Sequence, residues 1–313
     1  MAHRLLNTLL QAKVSDPTVK VGCTEKLTYK ANGTIFEIRP SPGKGYGIFA
    51  LRQIIRGTCV FSEKALMLLP INGRDQAKAN IHEEFKKLNP EQLQEFGMLA
   101  CTMEALDPGT DDQVRSRLIA EGRSGAELER ATAEELRLRA IFHTNVVSTG
   151  FKDDFGSGIF PTFSRLNHSC TPNVEIDFKP KLGQQTVFAT RDIDAGEELT
   201  TSYIGLLHCR DQRADALRKW TVDCDCNACK DLHESEPRRK RLFDINQLLA
   251  MYERNMLSSP DFPTATPPTN DGEALVLGQE MVQLLKDEGI VGIELASAYV
   301  VTLISSNILH GTC

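Results

Sequence analysis

The sequence predicts an α+β fold in which a β-rich core of short sheets carries one helical insert and is followed by an α-helical tail. Three observations carry this expectation. Short β-branched and aromatic runs gather before residue 70 and return after residue 173. Helix formers fill the interval from about 75 to 145. Beyond His233 the pattern is helical again, with a single Pro-rich interruption. No repeat of fixed period is visible.

Taken in order, residues 1–34 are expected to form an N-terminal helical extension. From residue 35 the runs IFEI, GIFA, CVFSE and ALMLL read as strands punctuated by Gly and Pro. Asn89 followed by Pro90 is a helix start, an N-cap with Pro at the first helical position. The stretch ELERATAEELRLRAIF, residues 127–142, continues the helical insert. VEIDF, TVFAT and LTTSYI, at 174–178, 186–190 and 199–204, alternate as strands do. A helix is expected over 207–219, and SSPDFPTATPPTNDG over 258–272 reads as a loop or linker. The expected division is therefore an extension to 34, a core domain over 35–206 with its insert at about 75–145, a cysteine-bearing segment over 207–232 and a helical region over 233–313.

Composition narrows the function classes. Thirty-six Lys and Arg stand against 42 Asp and Glu, a net charge of -6, so direct nucleic-acid binding is not expected and a basic, lysine-bearing partner suits the chain better. The start of the sequence shows no secretory signal, its apolar residues being broken by Asn7 and Gln11. The most apolar stretch, 295–309, is shorter than the ~20 residues of a membrane span and reads as a core helix. These readings imply a protein of the cell interior, nuclear or cytoplasmic, with no membrane partner, and acting as a monomer. The run RRKR at 238–241 reads as a nuclear import signal or, more often, as a solvated basic helix face.

The chemistry is concentrated in four segments. Cys224, Cys226 and Cys229 form Cys-x-Cys-x-x-Cys, too tight for three separate disulfides and suited to a metal. Structural zinc takes four ligands in a tetrahedron, and the fourth could come from His208, Cys209, His233 or Cys170, with spacing favouring His233. Residues 43–50, GKGYGIFA, place three glycines in five residues, either for a hairpin turn or for close approach of backbone to a ligand. They form neither a phosphate-binding GK[ST] loop nor a dinucleotide fingerprint. The remaining segments are NHSCTPN at 167–173 and GEELTTSY at 196–203. Taken alone, the His of the first reads as structural and Tyr203 of the second as a core aromatic.

In this order and spacing the four segments resemble the SET-domain lysine methyltransferases, most nearly the SET-and-MYND group, over residues 35–232. The resemblance departs at once in one feature, because no second Cys/His cluster lies between 70 and 145 and the MYND zinc finger is absent. It implies a SET fold with a pseudoknot between the segments at Asn167 and Tyr203, a departure from unknotted connections. S-adenosylmethionine would be the cofactor, with Lys44, Gly45, Tyr46, Asn145, Asn167, His168, Tyr203 and Val222 around it, the last where the family usually has an aromatic on the adenine. Tyr203 would be the catalytic residue and Trp220 would line the lysine channel. The fourth zinc ligand would be Cys170, in place of His233.

The implied reaction is methyl transfer to the side-chain amine of a lysine in a histone or another protein. A free lysine has a pKa of about 10.4 and no lone pair in its charged form, so an apolar channel that lowers that value and a hydroxyl that orients the amine are what the chemistry asks for. The competing reading is a SET-like domain without catalysis, serving as a zinc-stabilised protein-interaction module.

Overall fold

A computed structural model describes residues 35–69, 76–149, 156–254 and 266–309; the extension expected over 1–34 lies outside them. Among the described residues ten strands form three small sheets. The first has the order β1-β2-β10-β7, from β1 (Phe36–Ser41), β2 (Gly45–Ala50), β10 (Glu198–Thr201) and β7 (Asn167–His168). The second is β3 (Cys59–Lys64), β9 (Gln184–Ala189) and β8 (Val174–Lys179), and the third is β4 (Met67–Leu69), β6 (Ser157–Ile159) and β5 (Val147–Ser148). Ile48, Ile54, Phe160, Leu166, Val187, Ile193 and Leu199 fill the space between them and are almost wholly buried. Each such side chain contributes about 1.5–3 kcal/mol over an exposed one.

One crossing in the first sheet positions the site. β7 runs parallel to β10, Asn167 opposite Thr200 and His168 opposite Thr201. Asn173, 1% exposed, laces the same two segments: its Nδ2 donates to the Glu198 carbonyl at 2.8 Å and its Oδ1 accepts from the Thr200 N–H at 2.7 Å. The two segments expected to form the pseudoknot lie against each other here. The strand expected through 199–204 stops at Thr201. Tyr203 therefore stands in a turn, which the Ser202 hydroxyl closes on the Ile204 carbonyl at 2.7 Å.

The insert is helical, as α1 (Gln76–Lys87), α2 (Pro90–Gly97), α3 (Thr110–Ala120) and α4 (Gly125–Asn145). Asn89 and Gln92 cap α2 reciprocally, each accepting the other's backbone N–H at 2.9 Å. Phe85, Phe96, Leu138 and Ile141 bury the insert's apolar face against Met67, Leu69 and Ile159 of the third sheet. After the core come α5 (Arg210–Leu217), a 3-10 turn at Arg218–Trp220, the short α6 (Asn227–Lys230) and then α7 (Leu232–Glu253), α8 (Asp271–Asp287) and α9 (Ile293–Leu309). The last three pack Leu242, Ile245, Leu285 and Ile290 around Leu206.

Two expectations about this tail change. The Asp271-Gly272 pair read as linker belongs to the first turn of α8, because the Asn270 Oδ1 accepts the Glu273 N–H at 3.0 Å and starts the helix there. RRKR is a basic helix face held partly by acids rather than a free basic patch. Arg239 is fully buried, Arg238 pairs with Glu288 at 2.6 Å and Arg241, its side chain 42% exposed, pairs with Glu280 at 2.7 Å, while Lys240 is exposed.

Candidate functional site

Two cavities meet at one pair of aromatic rings. The first, about 230 Å³, is lined by Gly43 and Lys44 of the β1–β2 turn, by Asn167, His168 and Tyr203, and by the segment from Trp220 to Asp225. The second is a more open groove of about 410 Å³, lined by Tyr203, Ile204, Gly205, His208, Gln212, Ala216, Lys219 and Trp220. Only Tyr203 and Trp220 belong to both. Their ring centroids are 5.3 Å apart, and the Trp220 indole is pinned by donation to the Thr144 carbonyl at 2.9 Å. Thr221, the one non-glycine residue with positive φ (52°) among the described residues, reverses the chain after Trp220 and sends Val222 into the first cavity.

Each wall has a local cause. The GKG sequence is a hairpin turn: Ser41 faces Gly45 across the strands, and the Lys44 N–H closes the turn on the Ser41 carbonyl at 3.0 Å. Gly43 and Gly45 both have φ near +75°, which favours glycine. The turn brings Gly43 and Lys44 to the cavity, whereas Gly45 and Tyr46 lie outside its lining. Tyr46 contributes its carbonyl, which accepts from the Asn167 Nδ2 at 3.1 Å. The other Asn167 amide hydrogen goes to the Glu198 Oε1 at 2.7 Å, which leaves the Asn167 carbonyl oxygen for a ligand. A Cβ on Gly47 would fall 2.2 Å from that Glu198 oxygen, so any larger residue there would push the Glu198 carboxylate from its present place beside Asn167.

Asn145 is not in the lining. It is buried at the end of α4, and its Nδ2 donates to the Ala100 and Ile141 carbonyls at 2.7 Å each. The cavity receives its neighbour's contribution instead, through the Thr144 carbonyl that holds Trp220.

His168 braces the site through its ring. Its Nδ1 accepts the Tyr203 backbone N–H at 3.1 Å, which places the proton of the neutral imidazole on Nε2, 3.4 Å from the Cys170 Sγ. Burial pushes its pKa down to about 4, with Arg213 and Lys44 adding to the effect against the opposing charge of Cys226. Tyr203 donates its hydroxyl to the Leu166 carbonyl at 2.7 Å. Burial first, and then the nearby Glu198, hold that phenol well above its ordinary pKa. Lys44 pairs with Glu198 at 3.9 Å and with Asp225 at 3.6 Å, across the mouth of the first cavity.

The four sulfurs of Cys170, Cys224, Cys226 and Cys229 lie within 4.8 Å of one another. Cys170 is 3.9 Å from Cys224 and 3.7 Å from Cys229. Tetrahedral ligands at about 2.3 Å from a zinc ion are about 3.8 Å from each other, whereas a disulfide would need about 2.05 Å. Sharing of protons within the cluster drives Cys226 far below and Cys170 far above the ordinary thiol value. The edge lengths and the all-thiolate donor set fit a structural zinc. His233, which spacing favoured, has a side chain 97% exposed and pairs only with Glu234. His208 lines the open groove, and Cys209 is the N-cap of α5.

Two residues at the site, Glu198 and Arg213, escaped the reading of the sequence. Glu198 orders Asn167 and Lys44, and the acidic run GEE that quotes it gave no sign of this role. Arg213 donates to the Cys229 Sγ at 3.9 Å. It gave no signal, because nothing in α5 predicts a fully buried arginine.

A fold of three small sheets with a parallel crossing beside a four-cysteine cluster and a tyrosine defines a class, and comparison with known families agrees. The family model described as SET domain matches residues 45–204, about half of the chain, and the chain belongs to the SET-domain family. Among curated relatives, it is 30% identical over 224 residues to histone-lysine N-methyltransferase set5 of Schizosaccharomyces pombe, covering 71% of this chain and 58% of that one. It is 46% identical over 91 residues to histone-lysine N-methyltransferase SET5 of Meyerozyma guilliermondii, 28% of this chain and 19% of that one. It is 37% identical over 110 residues to the human N-lysine methyltransferase SMYD2, 33% of this chain and 25% of that one. The chain thus matches little more than half the length of the first relative and a quarter or less of the other two. Among the described residues no helix is long and apolar enough to cross a membrane.

Proposed function

We propose that the chain transfers a methyl group from S-adenosylmethionine to the side-chain amine of a lysine in a protein. One observation carries the reading. Two neighbouring cavities share only Tyr203 and Trp220 among their lining residues, an arrangement suited to bringing a donor in one and a lysine in the other together. The names of the relatives, lysine and histone-lysine methyltransferases, support a histone or another lysine-bearing protein as substrate, in the nucleus or the cytoplasm. In this reading residues 35–206 are the SET body with its insert at about 75–145, 207–232 the post-SET segment and 233–313 a helical appendage.

The lining fits the cofactor. Lys44, its side chain 37% exposed, offers an ammonium to a carboxylate end, and Asn167 offers a free carbonyl oxygen to an ammonium. His168 belongs to the same lining with its ring engaged by the Tyr203 N–H, and Val222 offers an apolar face to a base. S-adenosylmethionine supplies a methyl group already activated by its sulfonium. The protein therefore has to place the amine rather than activate the donor. Trp220 forms the wall against which the lysine stem would lie. Tyr203, with its proton given to Leu166, leaves its oxygen as an acceptor at the junction, able to orient the amine's remaining hydrogens. Cys170, Cys224, Cys226 and Cys229 would hold zinc, which orders the segment carrying Val222 and Asp225.

The test is incubation of the purified chain with isotope-labelled S-adenosylmethionine and either histones or whole-cell lysate, with cofactor affinity measured by calorimetry. Label on lysine in a protein band is the expected result. Cofactor binding with no label in any lysate would favour the non-catalytic interaction module. Absence of cofactor binding would refute the assignment of the first cavity.

A further inference from the structure

Two arginines are withdrawn completely from solvent, Arg213 at 1% and Arg239 at 0% exposure, and both are aimed at the cysteine cluster. A guanidinium is buried at heavy cost unless a counter-charge goes with it. Arg239, on α7, has one in Glu288, just past α8, whose Oε2 accepts from its Nε at 2.6 Å. Its other nitrogens donate to two main-chain carbonyls, Leu206 at 2.6 Å and Cys170 at 2.9 Å. Those carbonyls bracket the site. Cys170 is the cysteine contributed by the SET body, and Leu206 follows Tyr203 by three residues.

Arg213 is the complementary case. Its Nη1 donates to the His208 carbonyl at 2.6 Å and its Nη2 faces the Cys229 Sγ at 3.9 Å. No carboxylate pairs with it among the described residues, and the charged or polar side chain its guanidinium faces is the Cys229 sulfur of the cluster. Four thiolates around a divalent cation carry a net charge of about -2, which supplies the missing counter-ion. Four neutral thiols would leave Arg213 buried and unpaired.

We infer that metal occupancy of the cysteine cluster and docking of the C-terminal helices are one coupled equilibrium, with Arg213 and Arg239 as the positioning residues that join them. The inference rests on the metal part of the proposed function. Metal fixes Cys170 to the segment 224–229, and Arg239 fixes the Cys170 carbonyl to Glu288 and hence to α8. Arg213 stabilises the metal-bound charge state over the empty one. Such coupling is reciprocal, so metal binding favours the docked α7 and α8 by the same factor as docking favours metal binding. Loss of a residue bonded to a metal ligand usually lowers metal affinity about 10- to 100-fold.

The experiment uses the full chain. Zinc affinity is measured by competition with a chromophoric chelator for the wild type, Arg239→Met, Arg213→Met and Arg213→Lys, all with the four cysteines intact. Deuterium exchange over 232–253 and 271–287 is compared in the wild type with metal and after chelation, and cobalt-substituted spectra are recorded. Both methionine variants should lose about 10- to 100-fold in metal affinity, and Arg213→Lys should recover most of that loss. Chelation should raise exchange in 271–287 by about 5- to 150-fold. Arg213→Met should shift the cobalt–thiolate charge-transfer band, because a donor to Cys229 is removed, a change that a merely structural role would not produce. If the wild type binds no metal, the metal reading falls and this inference with it. If it binds metal, yet the arginine variants stay within twofold and exchange in 271–287 is indifferent to chelation, the coupling alone is refuted. Should the variants not fold, the wild-type exchange comparison decides by itself.

Discussion

Replacing Tyr203 with Phe removes one oxygen and keeps the ring, which packs 5.4 Å from His168 and 5.3 Å from Trp220. Two effects can be separated by size. The folded state loses the 2.7 Å bond to the Leu166 carbonyl and leaves that buried acceptor unsatisfied, at about 1–3 kcal/mol. Taken from a stability at the low end of the usual range, about 5 kcal/mol, the larger figure still leaves about 2 kcal/mol and some 97% of molecules folded. A positioned group that acts in the transition state is worth about 2.7–4 kcal/mol, or 10²- to 10³-fold in rate. Unfolding therefore cannot account for the expected loss. The assay is single-turnover methyl transfer, with thermal midpoint and cofactor affinity measured on the same samples. The wild-type rate should also show no decline between about pH 8 and 10, because the phenol is held above its ordinary value and does not ionise in that window. A variant whose rate falls no further than its folded fraction would show Tyr203 to be a packing residue and refute the reasoning.

Cys170→Ser should release the metal while His233→Ala retains it, as read by metal content after gel filtration, since His233 is 97% exposed and remote in function from the sulfurs. Gly47→Ala should displace Glu198 and break its bond to Asn167, at about 1–3 kcal/mol in thermal stability with weakened cofactor binding. An unchanged cofactor Kd would mean that Asn167 does not order the pocket. Val222→Phe should tighten cofactor binding, since a stacked aromatic pair is worth about 0.5–1.5 kcal/mol, or roughly 2- to 12-fold, beyond its area. Calorimetry showing equal or weaker binding would put the base elsewhere.

What could be read from the sequence was whatever short-range chemistry dictates. The Asn89-Pro90 start became a reciprocal cap, GKG became a hairpin turn, and Cys224, Cys226 and Cys229 clustered because their spacing left little else for them to do. The misreadings came where a distant partner decides. Spacing alone pointed to His233, and only the family resemblance pointed to Cys170, whose sulfur joins the cluster from 54 residues before Cys224 because the crossing of β7 and β10 places it there. RRKR looked like a charged surface, and the burial of Arg239 within it follows from Glu288, which lies 49 residues further on. Asn145 sits one residue from a carbonyl that holds Trp220, yet its amide is claimed by Ala100 across the insert. In each case the local pattern was sound and a long-range hydrogen bond chose among its possible uses.

The same geometry bears on where the substrate's proton goes in the proposed reaction. Neither polar ring at the junction can take it. Tyr203 is a phenol held in its neutral form, and His168 already accepts a backbone hydrogen on Nδ1 while its pKa is pushed down to about 4. A general base is thus missing from the two rings nearest the reaction, and the amine has to arrive neutral. The groove itself supplies the means. Lys219 lies in its lining, with its Nζ 3.7 Å from the centre of the Trp220 ring, and burial lowers its pKa below the ordinary lysine value. An incoming lysine that goes deeper, past Trp220 to Tyr203, is desolvated further and lowered further. In the proposed reaction its proton would pass to water along the groove before the amine reaches the junction. Selection for the neutral amine is then made by depth of entry, and the transfer step is left with alignment as its only requirement.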